Sequence, residues 1–125
     1  MNQLYGYCLC RKIVFSIPSP SRFDVCHCVD CRRWHGGPAN GVDSTKITLL
    51  NEESTLTWFD SSAAAERGFC NTCGTSLFYR LKSNRSRWSV YMGSLEKIPA
   101  NIPLGYQSFL SQKLAFYKIA STQPM

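Results

Sequence analysis

The sequence has no long apolar run. Its apolar stretches last only a few residues, as at Ile47 to Leu50 with Thr48 inside. A membrane span needs roughly 20 consecutive apolar residues, so no spanning helix is expected. The opening Met1-Asn2-Gln3-Leu4-Tyr5-Gly6 lacks the basic and apolar segments of a secretory signal. The expected location is therefore the cytoplasm. Acidic residues number 8 against 14 Lys and Arg, and there are only 2 histidines, so candidates for acid–base chemistry are few. Charged residues make up 18% and hydrophobic ones 44%, which excludes an intrinsically disordered chain. A length of 125 residues leaves room for one core but not for a second. The expectation is a single domain over 1–125, with its core in roughly 5–120.

Cysteine, by contrast, is abundant. Seven cysteines fall in three close groups, Cys8-Leu-Cys10, Cys26-His-Cys28-Val-Asp-Cys31 and Cys70-Asn-Thr-Cys73. Their odd number and the reducing compartment argue against a disulfide framework, and their bunching argues against isolated buried thiols. Metal binding is the remaining reading, and zinc suits an all-sulfur ligand set. Zinc also changes the charge argument. The formal net charge of +6 invites a nucleic-acid partner. A zinc held by four thiolates carries two negative charges and one held by three carries one. With both sites filled the net charge falls to +3, so nucleic acid is not favoured. The dense stretch Arg80 to Arg87 is read as a solvated hairpin loop.

Short strands between turns dominate the chain. Ile13, Phe15 and Ile17 alternate with polar or smaller residues until Pro18-Ser-Pro20 ends the run. Further strands are expected at Arg22 to Cys28, Lys46 to Leu50, Thr55 to Phe59, Gly68 to Cys70, Thr75 to Leu81, Trp88 to Met92 and Leu114 to Ile119. Asn51-Glu-Glu-Ser54 reads as the turn of a hairpin joining Lys46–Leu50 to Thr55–Phe59. Cys31 to His35 has room for one helical turn before Gly36-Gly-Pro38. The pattern is a small, mainly β, antiparallel domain.

Residues i and i+2 of a strand face one side, so Cys8 with Cys10, and Cys26 with Cys28, are each expected to aim two sulfurs at one point. Cys70-x-x-Cys73-Gly74 has the spacing of a zinc knuckle. Seven thiolates divide into four plus three, a closed structural site and a site with an open fourth position. Spacing alone leaves open whether Cys70 and Cys73 join Cys8 and Cys10 or two members of the middle group. It also leaves open a second closed site completed by His27 or His35.

These motifs resemble the glutathione-dependent formaldehyde-activating enzyme family, which also includes centromere protein V. The resemblance rests on Gly6-Tyr-Cys8-Leu-Cys10, Cys26-His27-Cys28-x-x-Cys31-Arg32-Arg33-x-x-Gly36, Phe69-Cys70-x-x-Cys73-Gly74 and Gly93-Ser94-Leu95. It implies a β-tent of the Mss-four-like type stapled by zinc, with two zincs per chain. It implies a structural zinc on Cys8, Cys10, Cys70 and Cys73, and an open zinc on Cys26, Cys28 and Cys31. The chain departs from the family in having Arg11 where glycine is usual and Tyr106 where a late histidine is common.

The activity so implied is that of a zinc-dependent carbon–sulfur lyase acting on a low-molecular-weight thiol or thiol–aldehyde adduct, with glutathione as the family's thiol. A soft three-thiolate zinc suits a sulfur ligand better than water. His35, Arg32 and Arg33 are the candidate catalytic groups, and Arg32, Arg33 and Trp34 the candidate substrate-binding ones. One of the arginines is expected to balance the thiolates, and Trp34 to wall the pocket. His27 is expected to be structural. The rival reading is a zinc-stapled binding module without catalysis, with protein or nucleic acid as partner.

Overall fold

The computed structural model describes residues 2–51 and 54–119. Its strands are β1 (Gln3–Tyr7), β2 (Val14–Pro18), β3 (Phe23–Cys26), β4 (Ala39–Ser44), β5 (Thr48–Leu49), β6 (Leu56–Asp60), β7 (Ala65–Cys70), β8 (Ser76–Leu81), β9 (Asn84–Tyr91) and β10 (Leu104–Ser108). One short helix, α1 (Val29–His35), follows β3. The strands form a three-stranded sheet, β1-β2-β5, and a seven-stranded sheet, β10-β3-β4-β9-β8-β7-β6. The expected mainly β, antiparallel fold is present, except that β10 runs parallel to β3. Among the described residues no helix is long and apolar enough to cross a membrane.

The core lies between the two sheets. Phe15 and Ile17 of β2, with Ile13 just before them, pack into one cluster with Val42, Leu77, Phe78 and Val90 of the large sheet. The rings of Phe15 and Phe78 meet edge to face at 5.0 Å. Gly6 of β1 lies so close to Phe15 that a Cβ there would sit 2.4 Å from the ring. Glycine is thus required by packing at this point.

Three local expectations are corrected. Residues 46–50 and 55–59 do not form a hairpin. Leu49 pairs with Phe15 in the small sheet, whereas Leu56 pairs with Cys70 in the large one. Asn51 explains the divergence. Its side chain accepts from Val14 N at 3.0 Å and donates to Lys12 O at 2.5 Å, so it extends the pairing along β2. Glu52 and Glu53 of the supposed turn lie outside the described residues. Leu114 to Ile119 is not a strand; the last strand among the described residues is β10. The Arg80–Arg87 stretch is mostly strand. Arg80 packs over the Trp58 ring at 3.6 Å and pairs with Glu66 at 2.9 Å, so only the turn between Leu81 and Asn84 is loop.

Candidate metal and substrate site

The seven cysteines gather at two points. The Sγ atoms of Cys8, Cys10, Cys70 and Cys73 all lie within 4.8 Å of one another, and those of Cys26, Cys28 and Cys31 do the same. Among the described residues neither group includes a histidine or a carboxylate.

The quartet is built from two turns. Cys8 and Cys10 occupy the turn after β1, not a strand, so strand alternation is not what converges them. Cys8 N donates to Ile13 O at 3.1 Å and Arg11 N to Cys8 O at 3.0 Å, and Arg11 takes φ 64. That is the left-handed region, which favours glycine. Cys70 ends β7, and the chain then turns back. Gly74, at φ 81, donates to Cys70 O at 2.7 Å. Thr75 joins the turns, its hydroxyl accepting from Leu9 N at 3.1 Å and contacting Cys73 Sγ at 3.1 Å. The Sγ separations are 3.6 Å for Cys8–Cys10 and 3.8 Å for Cys10–Cys70. A tetrahedron with zinc–sulfur bonds of roughly 2.3 Å has edges of roughly 3.8 Å. The donor set and its spacing fit a tetrahedral thiophilic ion.

The trio is built differently. Cys26 ends β3, Cys28 caps the N-terminus of α1, and Cys31 lies within the helix. Cys28 keeps an extended backbone, with φ −65 and ψ 157, and its sulfur accepts from Cys31 N at 3.2 Å. Gly36, at φ 80, ends the helix with its N–H on Arg32 O. Cys31 is raised and Cys26 lowered from the ordinary thiol range, first because the two share a proton. The trio opens into a cleft of about 540 Å³, which none of the quartet lines. One cysteine group is therefore held between two turns, with Cys8 and Cys70 buried and Cys10 exposed, and the other faces a cavity.

The structure redistributes the roles expected of the neighbouring residues. None of Arg32, Arg33, Trp34 and His35 lines the cleft. Arg33 is exposed and Arg32 partly so. Trp34 stacks on Phe59 at 5.6 Å, meets Phe69 edge-on and donates from Nε1 to Ser76 Oγ. It fixes α1 to the large sheet. The His35 ring packs against Tyr91 at 4.2 Å, and burial, then the charge of Arg67, hold its pKa down to about 4. Its Nε2 is buried with no hydrogen-bond partner among the described residues. His27 is buried, with Nε2 on Gln107 Oε1 at 2.8 Å and Nδ1 on the Tyr117 hydroxyl at 2.7 Å. Both nitrogens are occupied, so this ring ties the β10 region and the following chain to β3.

The charge facing the trio is Arg67 of β7, which the sequence reading missed. It is 4% exposed, lines the cleft, and places both Nη atoms 3.9 Å from Cys31 Sγ. Strand alternation offered one signal, since Ala65, Arg67 and Phe69 share a face with apolar neighbours on either side. Tyr79 and Tyr91 line the same cleft, and burial raises the Tyr91 phenol above its ordinary range.

Known proteins are similar to this chain in sequence or in fold. The family model described as glutathione-dependent formaldehyde-activating enzyme matches residues 3–112. An uncharacterized lyase of Schizosaccharomyces pombe is 28% identical over 126 residues, covering all of this chain and 91% of the relative. A crystal structure of a Rhodobacter sphaeroides protein superposes with a TM-score of 0.64 at 21% identity, covering 81% of this chain and 99% of that one. That likeness is one of fold.

Proposed function

Because the chain belongs to the glutathione-dependent formaldehyde-activating enzyme family, we propose that it is a zinc-dependent, carbon–sulfur lyase-type enzyme. Its substrate would be a low-molecular-weight thiol or the adduct of one with an aldehyde. The family and the lyase-named relative support the reaction class. The observation that carries the finer reading is the contrast between a cluster of four sulfurs outside the cleft and a cluster of three that lines it. The quartet would hold a structural zinc. The trio would hold a second one with an exchangeable position. Zinc bound there supplies a Lewis acid with a preference for sulfur.

The remaining work falls to the chain. Tyr79 and Tyr91 give the cleft walls that exclude water from one side of the substrate. Tyr91 stays protonated at neutral pH, so its hydroxyl is a hydrogen-bond donor rather than an anion. Arg67 brings positive charge to the sulfur cluster. Glutathione is the thiol the family name supplies, and the domain over 1–125 is proposed to act as one unit.

The test is the zinc-loaded protein mixed with glutathione and formaldehyde, with the exchange rate between free thiol and adduct followed by NMR. Faster exchange than the uncatalysed mixture, lost in Cys28→Ser, is the expected result. No acceleration with glutathione or any other small thiol would sink the lyase reading. Salt-dependent binding of nucleic acid without turnover would then favour a binding module.

A further inference from the structure

One cation is buried in the cleft, and it is not either of the arginines that follow the trio. Arg67 Nε donates to Ser61 Oγ at 2.8 Å, and its guanidinium lies 5.2 Å over the Tyr79 ring. Its other contacts are the two approaches to Cys31 Sγ. Arg22, Arg80, Lys82, Arg85 and Arg87 each pair with a carboxylate. Among the described residues no carboxylate pairs with Arg67. A guanidinium this buried is unfavourable unless an opposite charge faces it. Among the described residues the candidate in contact is Cys31 Sγ, one of the trio's three sulfurs.

We infer that Arg67 is the counter-charge of the three-cysteine site and the residue that lets it accept an anionic fourth ligand. The charges support this directly. Three thiolates around a divalent ion carry one net negative charge, and Arg67 cancels it. The metal site itself is then neutral to an incoming thiolate, with Asp24, Asp30 and Asp43 also in the cleft lining and Asp24 and Asp43 each paired with an arginine. Without Arg67 the thiolate meets an anionic site in a partly dry cleft, where repulsion is weakly screened. A merely structural Arg67, held by Ser61 and Tyr79, would impose no such preference. The inference rests on the reading of the trio as an open metal site, and it extends that reading from sulfur affinity to charge selection.

The test uses protein loaded with cobalt(II), whose visible absorption reports a change of fourth ligand. Three probes are titrated: mercaptoethanol, which binds as a thiolate; azide, an anion without sulfur; and imidazole, a neutral donor. In the wild type both anions are expected to bind more tightly than imidazole. Arg67→Gln should weaken both anions by at least about tenfold, as expected for the loss of a charged partner. It should leave imidazole and the cobalt stoichiometry unchanged. Arg67→Lys, which keeps the charge, should recover most of the loss. Equal anion binding in Arg67→Gln and wild type overturns the inference, and so does a wild-type preference for imidazole, which needs no variant to fold. Azide binding that depends on Arg67, without thiol binding, would keep the inference and remove the lyase reading. Thiol binding indifferent to Arg67 would do the reverse.

Discussion

His35 shows how much a single residue's surroundings can change its chemistry. Read from the chain, it stands four residues after Cys31 and invites a role as ligand or acid. In the fold it is a packed ring against Tyr91, held neutral by burial and by Arg67. Its folded pKa of about 4 lies below the ordinary 6.5, so the unfolded chain binds the extra proton first. Stability is therefore lost as pH falls from near 6.5 toward 4. His35→Phe keeps a ring at the contact and removes the titration. Its melting temperature is expected to fall less than that of the wild type between pH 8 and pH 5. Parallel melting curves for the two proteins across that range would show that His35 is not the group responsible. Arg67 is the complementary case. Its alternation with Ala65 and Phe69 is only a weak signal in the chain, because its burial comes from strands distant in sequence.

Helix α1 is an element defined by its ends and one anchor. Cys28 caps it and Gly36 ends it, so the one turn expected from Cys31 to His35 extends back to Val29. Its anchor is Trp34, through Phe59, Phe69 and Ser76. Since Cys28 and Cys31 sit on this helix, its position sets the trio. Trp34→Ala is expected to destabilise the fold by about 2–4 kcal/mol, as for a large aromatic removed from packing. It should also loosen metal binding at the trio, read by competition with a chromophoric chelator. A large drop in melting temperature with unchanged trio affinity would separate the two roles and refute the coupling. The strands were legible where alternation was clean, as at Phe15 and Ile17 of β2. They were not legible at β4, where Asn40, Gly41 and Asp43 are poor strand formers. That strand is held instead by its neighbours, with Asp43 accepting from Arg87 and Ser89 of β9. The cysteine groups were legible because close spacing along the chain survives folding. The means of convergence at Cys8 and Cys10 is not legible in the sequence, because a turn with a left-handed Arg11 carries no alternation.

For the whole molecule, the quartet is a clasp between the two sheets. It joins the turn after β1 to the turn between β7 and β8, whereas the trio involves only β3 and α1. The two sites should therefore differ in their effect on the fold. Cys73→Ser is expected to give insoluble protein or a collapsed melting transition, since a structural zinc contributes on the order of 10 kcal/mol. Cys28→Ser should melt with a smaller loss. Mild chelation should remove about one zinc per chain and leave the far-ultraviolet spectrum intact, because a site with three protein ligands releases metal more readily. Loss of both metals in one cooperative step would contradict the division, and so would a soluble, normally melting Cys73→Ser.

The long reach of that clasp has a consequence for how the protein is made. The chain is synthesised from its N-terminus, so Cys8, Cys10, Cys26, Cys28 and Cys31 emerge well before Cys70 and Cys73. A metal ion arriving early meets five thiols, none of which is the quartet's second half. Four of them suffice to coordinate it fully in a pairing the finished protein does not use. Reaching the native pairing then requires ligand exchange after β7 and β8 have formed. Refolding with excess zinc present from the start is accordingly expected to give less two-zinc protein than refolding with zinc supplied slowly. Equal yields from both protocols would mean that the early thiols do not trap the metal. For this chain the timing of metal delivery, as much as the affinity of the finished sites, would govern how much native protein is obtained.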